Sequence, residues 1–418
     1  MQPNSNSALG ESRAQPRISI PAKQVEKGVA RDFGWERVIP ANGLPHMLGM
    51  DDVLAVEREV SRLTRSKSLA LDEDAFRPAV SVQGQKLPLG VEWYWRVANM
   101  LQVAWPVVRL SEPVQLVYEL AREKGYLDEG GNPLHAADIW RERIPEGHRQ
   151  ALDFLQELKS AYSSRTYREA VRHREDQAEH NRRQHLLLLD YLLVKHGSFR
   201  AIALDFYLDH GRGIGGVHPG YFLDHVVQYR GHFLNKMRFS PVFREGGYGY
   251  LWHLSFNRNR GYYIRAFFFV APSGLGAHEK FLARASRAWG EVTGGIGTCD
   301  DCRKHPNELA RVGWTVDARN EKSVRRMERA LVYQVEKDRR FRVIAPDKLH
   351  VFGHTEMTGL DQSMLDRTWD MLIASSSRMS TELLASQQDR IQRLHFDLEA
   401  RRESASRFVV SCGGRNSH

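Results

Sequence analysis

Apolar and polar positions alternate along two neighbouring stretches in the middle of the chain. Residues 251–256 alternate between large apolar side chains and a face that contains His253 and Ser255, and residues 262–270 form an aromatic and β-branched run. Both patterns are typical of β-strands, and the polar segment 257–261 between them has the composition of a turn. We therefore predict a β-hairpin. Its cross-strand pairing would gather one polar patch, made of His253, Ser255, Tyr263 and Arg265.

A third strand is predicted ahead of the hairpin, in residues 200–208. Ile202, Leu204 and their alternate neighbours are apolar, whereas Asp205 lies on the opposite face. A glycine-rich segment, residues 210–220, follows, but no helix opens directly on its glycines, as a dinucleotide-binding fingerprint requires. We interpret this segment as a loop that leads into a helix over residues 218–239.

Helical spacing of apolar residues predicts helices in much of the remaining chain. They cover residues 50–68, 113–124, 137–162, 277–291 and 321–338, and residues 361–404 form one long helix or a helical pair. A short strand is expected around Trp314. The predicted fold class is α+β, an antiparallel sheet with helices on one face. We divide the chain into a flexible basic arm (residues 1–45), a helical N-terminal region (46–185), an α+β domain (186–358) and a C-terminal helix with a tail (359–418).

The charge balance adds an expectation about partners. The 418 residues carry a formal net charge of +9, with a sequence pI of about 9.4, which favours a polyanion such as nucleic acid or an anionic membrane face. A content of only three cysteines indicates a reducing compartment. The apolar runs are too short to span a bilayer, and the N-terminus has no hydrophobic segment. We therefore expect a cytoplasmic protein with a polyanionic partner, for which we predict single-stranded or origin DNA and no membrane; the alternative is simply a basic soluble protein.

Residues 321–342 place a row of cations on one helix face, away from the apolar stripe of the same helix. Spacings of four, three, four and four residues align Lys322, Arg326, Arg329, Tyr333 and Lys337. Nearby positive charge favours a phenolate and holds a phosphate, so Tyr333 is a candidate catalytic nucleophile with Lys337 beside it. The alternative is a surface tyrosine on a basic helix. The candidate DNA-binding residues are Lys322, Arg326 and Arg329, together with Arg258, Arg260 and Arg265 of the hairpin.

The order of these features resembles the YagK/YfjJ C-terminal domain family, which includes the second-gene replication proteins of filamentous phages (inoviruses) and their prophage relatives. The matching features, within residues 186–358, are a strand with an acidic residue (ALDFYL), a helix, the aromatic hairpin (GYLWHLS and RGYYIRAFFF), a helix, a strand (RVGWTV) and Tyr333-x-x-x-Lys337. The resemblance implies a fold like that of rolling-circle replication endonucleases. In those enzymes two histidines bind Mg²⁺ or Mn²⁺, and the tyrosine attacks the scissile phosphate, leaving a 5′-phosphotyrosine and a free 3′-hydroxyl.

This chain departs from the family pattern at the metal. Tyr263 and Arg265 stand where the family has its two histidines, and Ser255 stands at the acidic position. Neither tyrosine nor arginine is a suitable ligand for these hard cations. Three interpretations are open. The protein binds DNA without cutting it; or Asp205 and His253 form a rearranged metal site; or Arg265 replaces the metal as the charge that stabilises the transition state.

Three further hypotheses concern other parts of the chain. Cys299, Cys302 and His305 have the spacing of half a structural zinc site, and the alternative is an ordinary turn. Residues 163–185 are dense in Arg and His, and form either a phosphate-tracking surface or a solvated helix with charge pairs. Finally, the whole chain can be read as a non-catalytic helical regulator that binds a protein partner, in which case binding would depend little on salt.

Overall fold

The structure, a computed structural model, covers the predicted hairpin and most of the predicted helices. It describes residues 19–32, 57, 60, 81–82, 85–86, 108–109, 111–125, 145–208, 221–257, 260–272, 277–343, 350–357, 360–375 and 379–413. The expected helix over residues 50–68 lies almost entirely outside the described residues, and the glycine-rich loop 210–220 lies wholly outside them. Within the described part, no helix is long and apolar enough to cross a membrane.

An antiparallel sheet forms the centre of the fold, as the sequence predicts. The strands are β1 (Ser81–Val82), β2 (Gln85–Lys86), β3 (Val108–Arg109), β4 (Ser198–Leu208), β5 (Gly247–Asn257), β6 (Gly261–Val270), β7 (Gly297–Asp301), β8 (Thr315–Asp317), β9 (Arg342–Val343) and β10 (Phe352–His354). The central sheet has six strands in the order β10-β5-β6-β4-β7, and β8 pairs with the other half of the same β4 edge. Two short pairs, β1 with β2 and β3 with β9, lie outside it.

The register of the hairpin decides which side chains share a face. Residues directly opposite each other in an antiparallel pair point to the same side. Trp252 and Ala266 are therefore together on one face, while His253 and Arg265 are together on the other. Gly261 closes the turn with a φ of 79°, a conformation that favours glycine. The predicted division of the two strands between the faces is confirmed.

Helices pack on both faces of the sheet, so the expectation of helices on one face is wrong. The helices are α1 (Ala22–Asp32), α2 (Glu112–Glu123), α3 (Pro145–Ser163), α4 (Arg165–His196), α5 (Tyr221–Arg238), α6 (Pro241–Gly246), α7 (Ala277–Val292), α8 (Glu321–Arg340), α9 (Gln362–Ser375) and α10 (Thr381–Gly413). Helices α5 and α7 cover the apolar face, where Phe233 and Trp289 pack on Phe206. Helices α4 and α8 cover the other face, where Leu188 and Leu331 share a core with Phe267.

Three regions differ from the expected division of the chain or refine it. The domain boundary expected at residue 186 falls inside α4, which is one continuous helix. The helix begins at an N-cap in which the Ser164 hydroxyl accepts a hydrogen bond from the Tyr167 N–H at 3.1 Å. The change in composition near residue 183 marks the point where α4 enters the core. Residues 22–32, expected in a flexible arm, form α1 and pack against α8. The C-terminal region is the helical pair of α9 and α10.

Candidate functional site

The polar patch predicted for the hairpin is present, and β4 extends it. On the face covered by α4 and α8, cross-strand pairing aligns His253, Arg265 and Asp205 in one row. The neighbouring row begins with Ser255 and Tyr263. All five side chains are buried. Because buried polar groups are costly unless they are paired, their partners determine what this patch can do.

Arg265 is the centre of the patch. Its guanidinium donates two parallel hydrogen bonds to the Asp205 carboxylate, from Nε at 2.7 Å and from Nη2 at 2.6 Å, which is the bidentate geometry that arginine–carboxylate pairs favour. Its Nη1 donates to Oδ2 of Asp32 at 2.9 Å. Arg265 is 0% exposed. The expectation that this side chain contacts DNA directly therefore does not hold in this structure.

Asp32, the last residue of α1, brings a second carboxylate into the patch from outside the sheet. Besides the bond from Arg265, it accepts one from Asn307 Nδ2 at 3.2 Å. Its oxygens also lie 3.6 Å from Lys337 Nζ and 3.6 Å from His305 Nε2. Burial alone would raise the pKa of Asp32, but the surrounding positive charges, chiefly that of Arg265, lower it to about 2. Asp32 is thus an anion at neutral pH.

Lys337 and Tyr333 reach the same patch from consecutive turns of α8. The Lys337 ammonium donates to Ser255 Oγ at 2.8 Å and to the Tyr263 hydroxyl at 3.4 Å. Burial lowers the pKa of Lys337, although the charge of Asp32 acts in the opposite direction. Tyr333 is completely buried, so the expectation of a tyrosine on an exposed cationic face is wrong.

The environment of Tyr333 does not activate its hydroxyl. Among the described residues this hydroxyl has no hydrogen-bond partner of acceptable geometry, although it is close enough to Asp32 to be influenced by its charge. Burial first, and then the negative charge of Asp32, raise the pKa of Tyr333 well above the ordinary value of a phenol. Attack on a phosphate is favoured by a phenolate. Tyr333 in this closed arrangement is therefore a poor nucleophile.

Helix α1 lies directly over Tyr333. A Cβ at Gly28 would come within 2.7 Å of Asn307 Nδ2 and 2.9 Å of Tyr333 Cε2, so a side chain at this position would prevent the close approach. Val25 and Val29 of the same helix are buried in the core. We define the polar cluster as the group beneath and including the end of α1: Asp32, Asp205, Ser255, Tyr263, Arg265, His305, Asn307, Tyr333 and Lys337.

A groove of about 1120 Å³ runs along the first half of α8 and borders α1. Four exposed cations of α8 line it: Lys322, Arg325, Arg326 and Arg329. Arg325 pairs with Glu321 one turn earlier, and we call the other three the cationic stripe. The Arg326 guanidinium lies over the ring of Trp314, 3.8 Å from its centroid. Arg329 Nη2 donates to Gln24 Oε1 of α1 at 2.8 Å. The structure therefore brings the three predicted cations of α8 together at one surface.

The hairpin turn is more engaged within the protein than the sequence suggests. Arg260 pairs with Asp300, donates to Thr298 Oγ1 at 3.0 Å and lies over the Tyr207 ring, 3.5 Å from its centroid. A nucleic acid would have to compete with these contacts. Arg258, the other predicted DNA-binding residue of the turn, lies outside the described residues.

Asp205 and His253 do not form the rearranged metal site considered from the sequence. They lie on β4 and β5, with β6 and Arg265 between them, which separates them by roughly 10 Å at the usual strand spacing. His253 Nδ1 instead pairs with Asp338 at 3.0 Å. In the part of the chain that the structure describes, no three His, Cys, Asp or Glu side chains are grouped so that they could hold a metal ion. The rearranged metal site is therefore wrong.

Cys299 and Cys302 belong to the cores on opposite faces of the sheet. They cannot bind one zinc ion together in this arrangement. His305 is directed to Asp32 instead, with 3.6 Å between Nε2 and Oδ1. The zinc hypothesis is therefore wrong, and the segment is the end of β7, with Cys299, followed by a short 3-10 helix at Cys302–Lys304.

The arginine-rich half of α4 has the contacts of a solvated helix. Arg165 pairs with Glu169 at 2.7 Å, and Arg172 lies 3.9 Å from Asp176, each one helical turn apart. Such exposed pairs contribute little to stability. They support the interpretation as a charge-paired surface rather than a phosphate-tracking one.

Sequence reasoning missed the contribution of α1 to the site. Asp32 lies 233 residues before its partner Arg265, so no local pattern connects the two. The available signal was the helical spacing of Val25, Val29 and Asp32 in an otherwise polar segment.

Comparison of the chain with protein-family models, with curated proteins and with solved structures gave no match.

Proposed function

We propose that this protein binds DNA along the groove of α8, as a replication-initiation-like protein of phage or prophage type whose tyrosine nicking activity is weakened or lost. The cationic stripe is the observation that carries the proposal. Three exposed cations on one helix face, bordering a groove, resemble the positively charged grooves that follow the phosphate backbone of a single strand. Arg326 is held on Trp314, which reduces the side-chain entropy that it loses when it binds a phosphate.

The charge of the whole groove supports a polyanionic ligand. Its lining contains seven lysines and arginines against three glutamates, a balance of +4. Arg390 and Arg393 are already close to Asp190, at 3.7 Å and 2.8 Å. The cationic stripe therefore supplies most of the positive charge that remains for a partner.

The polar cluster supports the proposal of weak or lost nicking. Tyr333 is buried with a raised pKa, and the two histidine positions of the family are occupied by Tyr263 and Arg265. The guanidinium of Arg265 is already bound by two carboxylates. The transition-state role considered for Arg265 would require one of those carboxylates to leave, so this closed arrangement favours binding over catalysis.

Binding of a fluorescent single-stranded oligonucleotide, followed by anisotropy at several salt concentrations, tests the proposal. We expect the triple variant Lys322→Gln, Arg326→Gln, Arg329→Gln to weaken binding at low salt by at least about tenfold. The triple variant should also reduce the magnitude of the slope of the logarithm of the binding constant against the logarithm of the salt concentration by about 2. Each of the three phosphate contacts on a single strand contributes about 0.7 to this slope. In the same samples with Mn²⁺, no covalent adduct should survive denaturation.

The matched control removes the same charge from the solvated half of α4. The variant Arg165→Gln, Arg168→Gln, Arg172→Gln is expected to bind within about twofold of the wild type, because only general electrostatic attraction changes. An equal loss of affinity in both triple variants would contradict the groove as the binding site. A covalent band that disappears in Tyr333→Phe would restore the nicking alternative.

A further inference from the structure

The Asp32 carboxylate occupies a site built entirely from donors and cations. Arg265 and Asn307 donate hydrogen bonds to it, and Lys337 and His305 each lie 3.6 Å away. The backbone N–H of Asn307 donates to Nδ1 of His305 at 3.1 Å, so a neutral His305 carries its proton on Nε2, toward Asp32. These groups would bind any oxyanion of suitable size in the same way.

The cluster needs an anion at this position. Without Asp32, the two buried cations Arg265 and Lys337 would lose the carboxylate that lies close to both of them, and an unpaired buried cation is costly. A phosphate group has more acceptor oxygens than a carboxylate. The hydroxyl of Tyr333 is buried, and within the described part of the chain it makes no hydrogen bond of acceptable geometry, although it lies close enough to Asp32 to interact with it. It is therefore placed to donate to an oxygen at this position.

We propose that the polar cluster is a binding site for a phosphate group of a nucleic acid, and that α1 closes this site by placing Asp32 in the position of the phosphate. The inference rests on the proposed DNA binding. The groove meets the closed site at Arg329, whose guanidinium binds Gln24 of α1. When a phosphate of a DNA strand binds Arg329 in place of Gln24, the attachment of α1 to α8 becomes weaker. A second phosphate of the strand then replaces the carboxylate of Asp32.

Two variants of the full chain open the site in different ways. Asp32→Ala removes the carboxylate. Gly28→Val keeps every polar residue of the site but displaces α1, because even a Cβ at this position would lie 2.7 Å from Asn307 Nδ2. Gly231→Val on α5 is the matched control, since a Cβ there meets nothing within 4 Å.

Thermal unfolding with inorganic phosphate, compared with chloride at equal ionic strength, measures the anion site directly. In both opened variants, about 20 mM phosphate should raise Tm by roughly 2–4 °C more than in the wild type and in Gly231→Val, because the ligand stabilises only a protein that can bind it. The general stabilising effect of phosphate acts on all four proteins alike. Single-stranded DNA should bind about three- to tenfold more tightly to the opened variants, since closure no longer competes.

The outcomes separate this inference from the proposed function. Equal responses to phosphate in all four proteins would overturn the phosphate site, even if the cationic stripe proves necessary for DNA binding. A phosphate response in the opened variants, with no DNA binding by any protein, would support an oxyanion site and overturn nucleic acid as its source. If Asp32→Ala does not fold, the response of Gly28→Val to phosphate tests the anion site by itself, because this variant retains every charged residue of the cluster.

Discussion

The two halves of α8 carry one row of cations in two different environments. In the first half, Lys322, Arg326 and Arg329 are exposed along a groove. In the second half, Tyr333 and Lys337 are buried beneath α1. The spacing of the row is regular throughout, so the helix itself does not cause the difference. The neighbours of the second half do, namely α1 and the polar face of the sheet. Tertiary contacts thus decide whether a helix face is a binding surface or part of the interior.

The exposed and the buried half of α8 contribute differently to binding and to stability. Replacing an exposed cation usually changes the free energy of unfolding by less than about 0.5 kcal/mol, because water solvates it in both states. Removing one partner of a buried ion pair costs several kcal/mol, because the other charge is left without water or a counterion. The exposed half of α8 is therefore available to a ligand, whereas the buried half helps to hold α1 in place.

The largest effect is expected for Arg265→Met. The substitution leaves Asp205 and Asp32 without the guanidinium that binds both of them, and should lower the free energy of unfolding by roughly 3–5 kcal/mol. Arg326→Met is the control in the exposed half and should cost less than about 1 kcal/mol, the value of its contact with Trp314. Urea unfolding measures both variants. A similarly small loss for Arg265→Met would mean that water reaches the polar cluster in solution.

Acid titration gives the second largest effect and isolates Asp32. Folding lowers the pKa of this carboxyl from an ordinary value of 3.8 to about 2. The resulting stabilisation, about 2 kcal/mol, is fully present above about pH 4 and is lost as the pH falls through about 2. The stability difference between the wild type and Asp32→Asn, measured by urea unfolding at a series of pH values, should shrink over that range. A difference that does not change with pH would show that Asp32 is not held as a paired anion.

Local patterns were sufficient to predict the hairpin, its two faces and the cationic row of α8. Each of these depends on residues that are close in the sequence. His253 and Arg265 alternate with large apolar residues along their strands, so the face that they share follows from the two-residue period of a strand. The spacing of the cations on α8 follows in the same way from the helical repeat.

Two features of the site could not be predicted from local patterns: the closure by α1, and the separation that prevents Asp205 and His253 from binding one metal ion. Both depend on contacts between distant parts of the chain. Asp32 meets Arg265 only because α1 returns to the sheet across 233 residues of chain. Gly28 matters only because Asn307 and Tyr333 lie against it. Asp205 and His253 share a face, as predicted, but β6 lies between their strands. Strand order, which sets their separation, follows from the tertiary fold and not from alternation within a strand.

Two tyrosines of the polar cluster give the smallest and most specific comparison. Tyr333 and Tyr263 are both completely buried, but only the Tyr263 hydroxyl accepts a hydrogen bond among the described residues, from Lys337 at 3.4 Å. Tyr263→Phe should therefore lower the free energy of unfolding by about 1 kcal/mol, whereas Tyr333→Phe should leave it unchanged or raise it by up to about 1 kcal/mol, because it removes an unpaired buried hydroxyl. Urea unfolding of the two variants provides the measurement. Equal losses would mean that the Tyr333 hydroxyl donates to Asp32 in solution, and the site would then have one donor fewer to offer a phosphate.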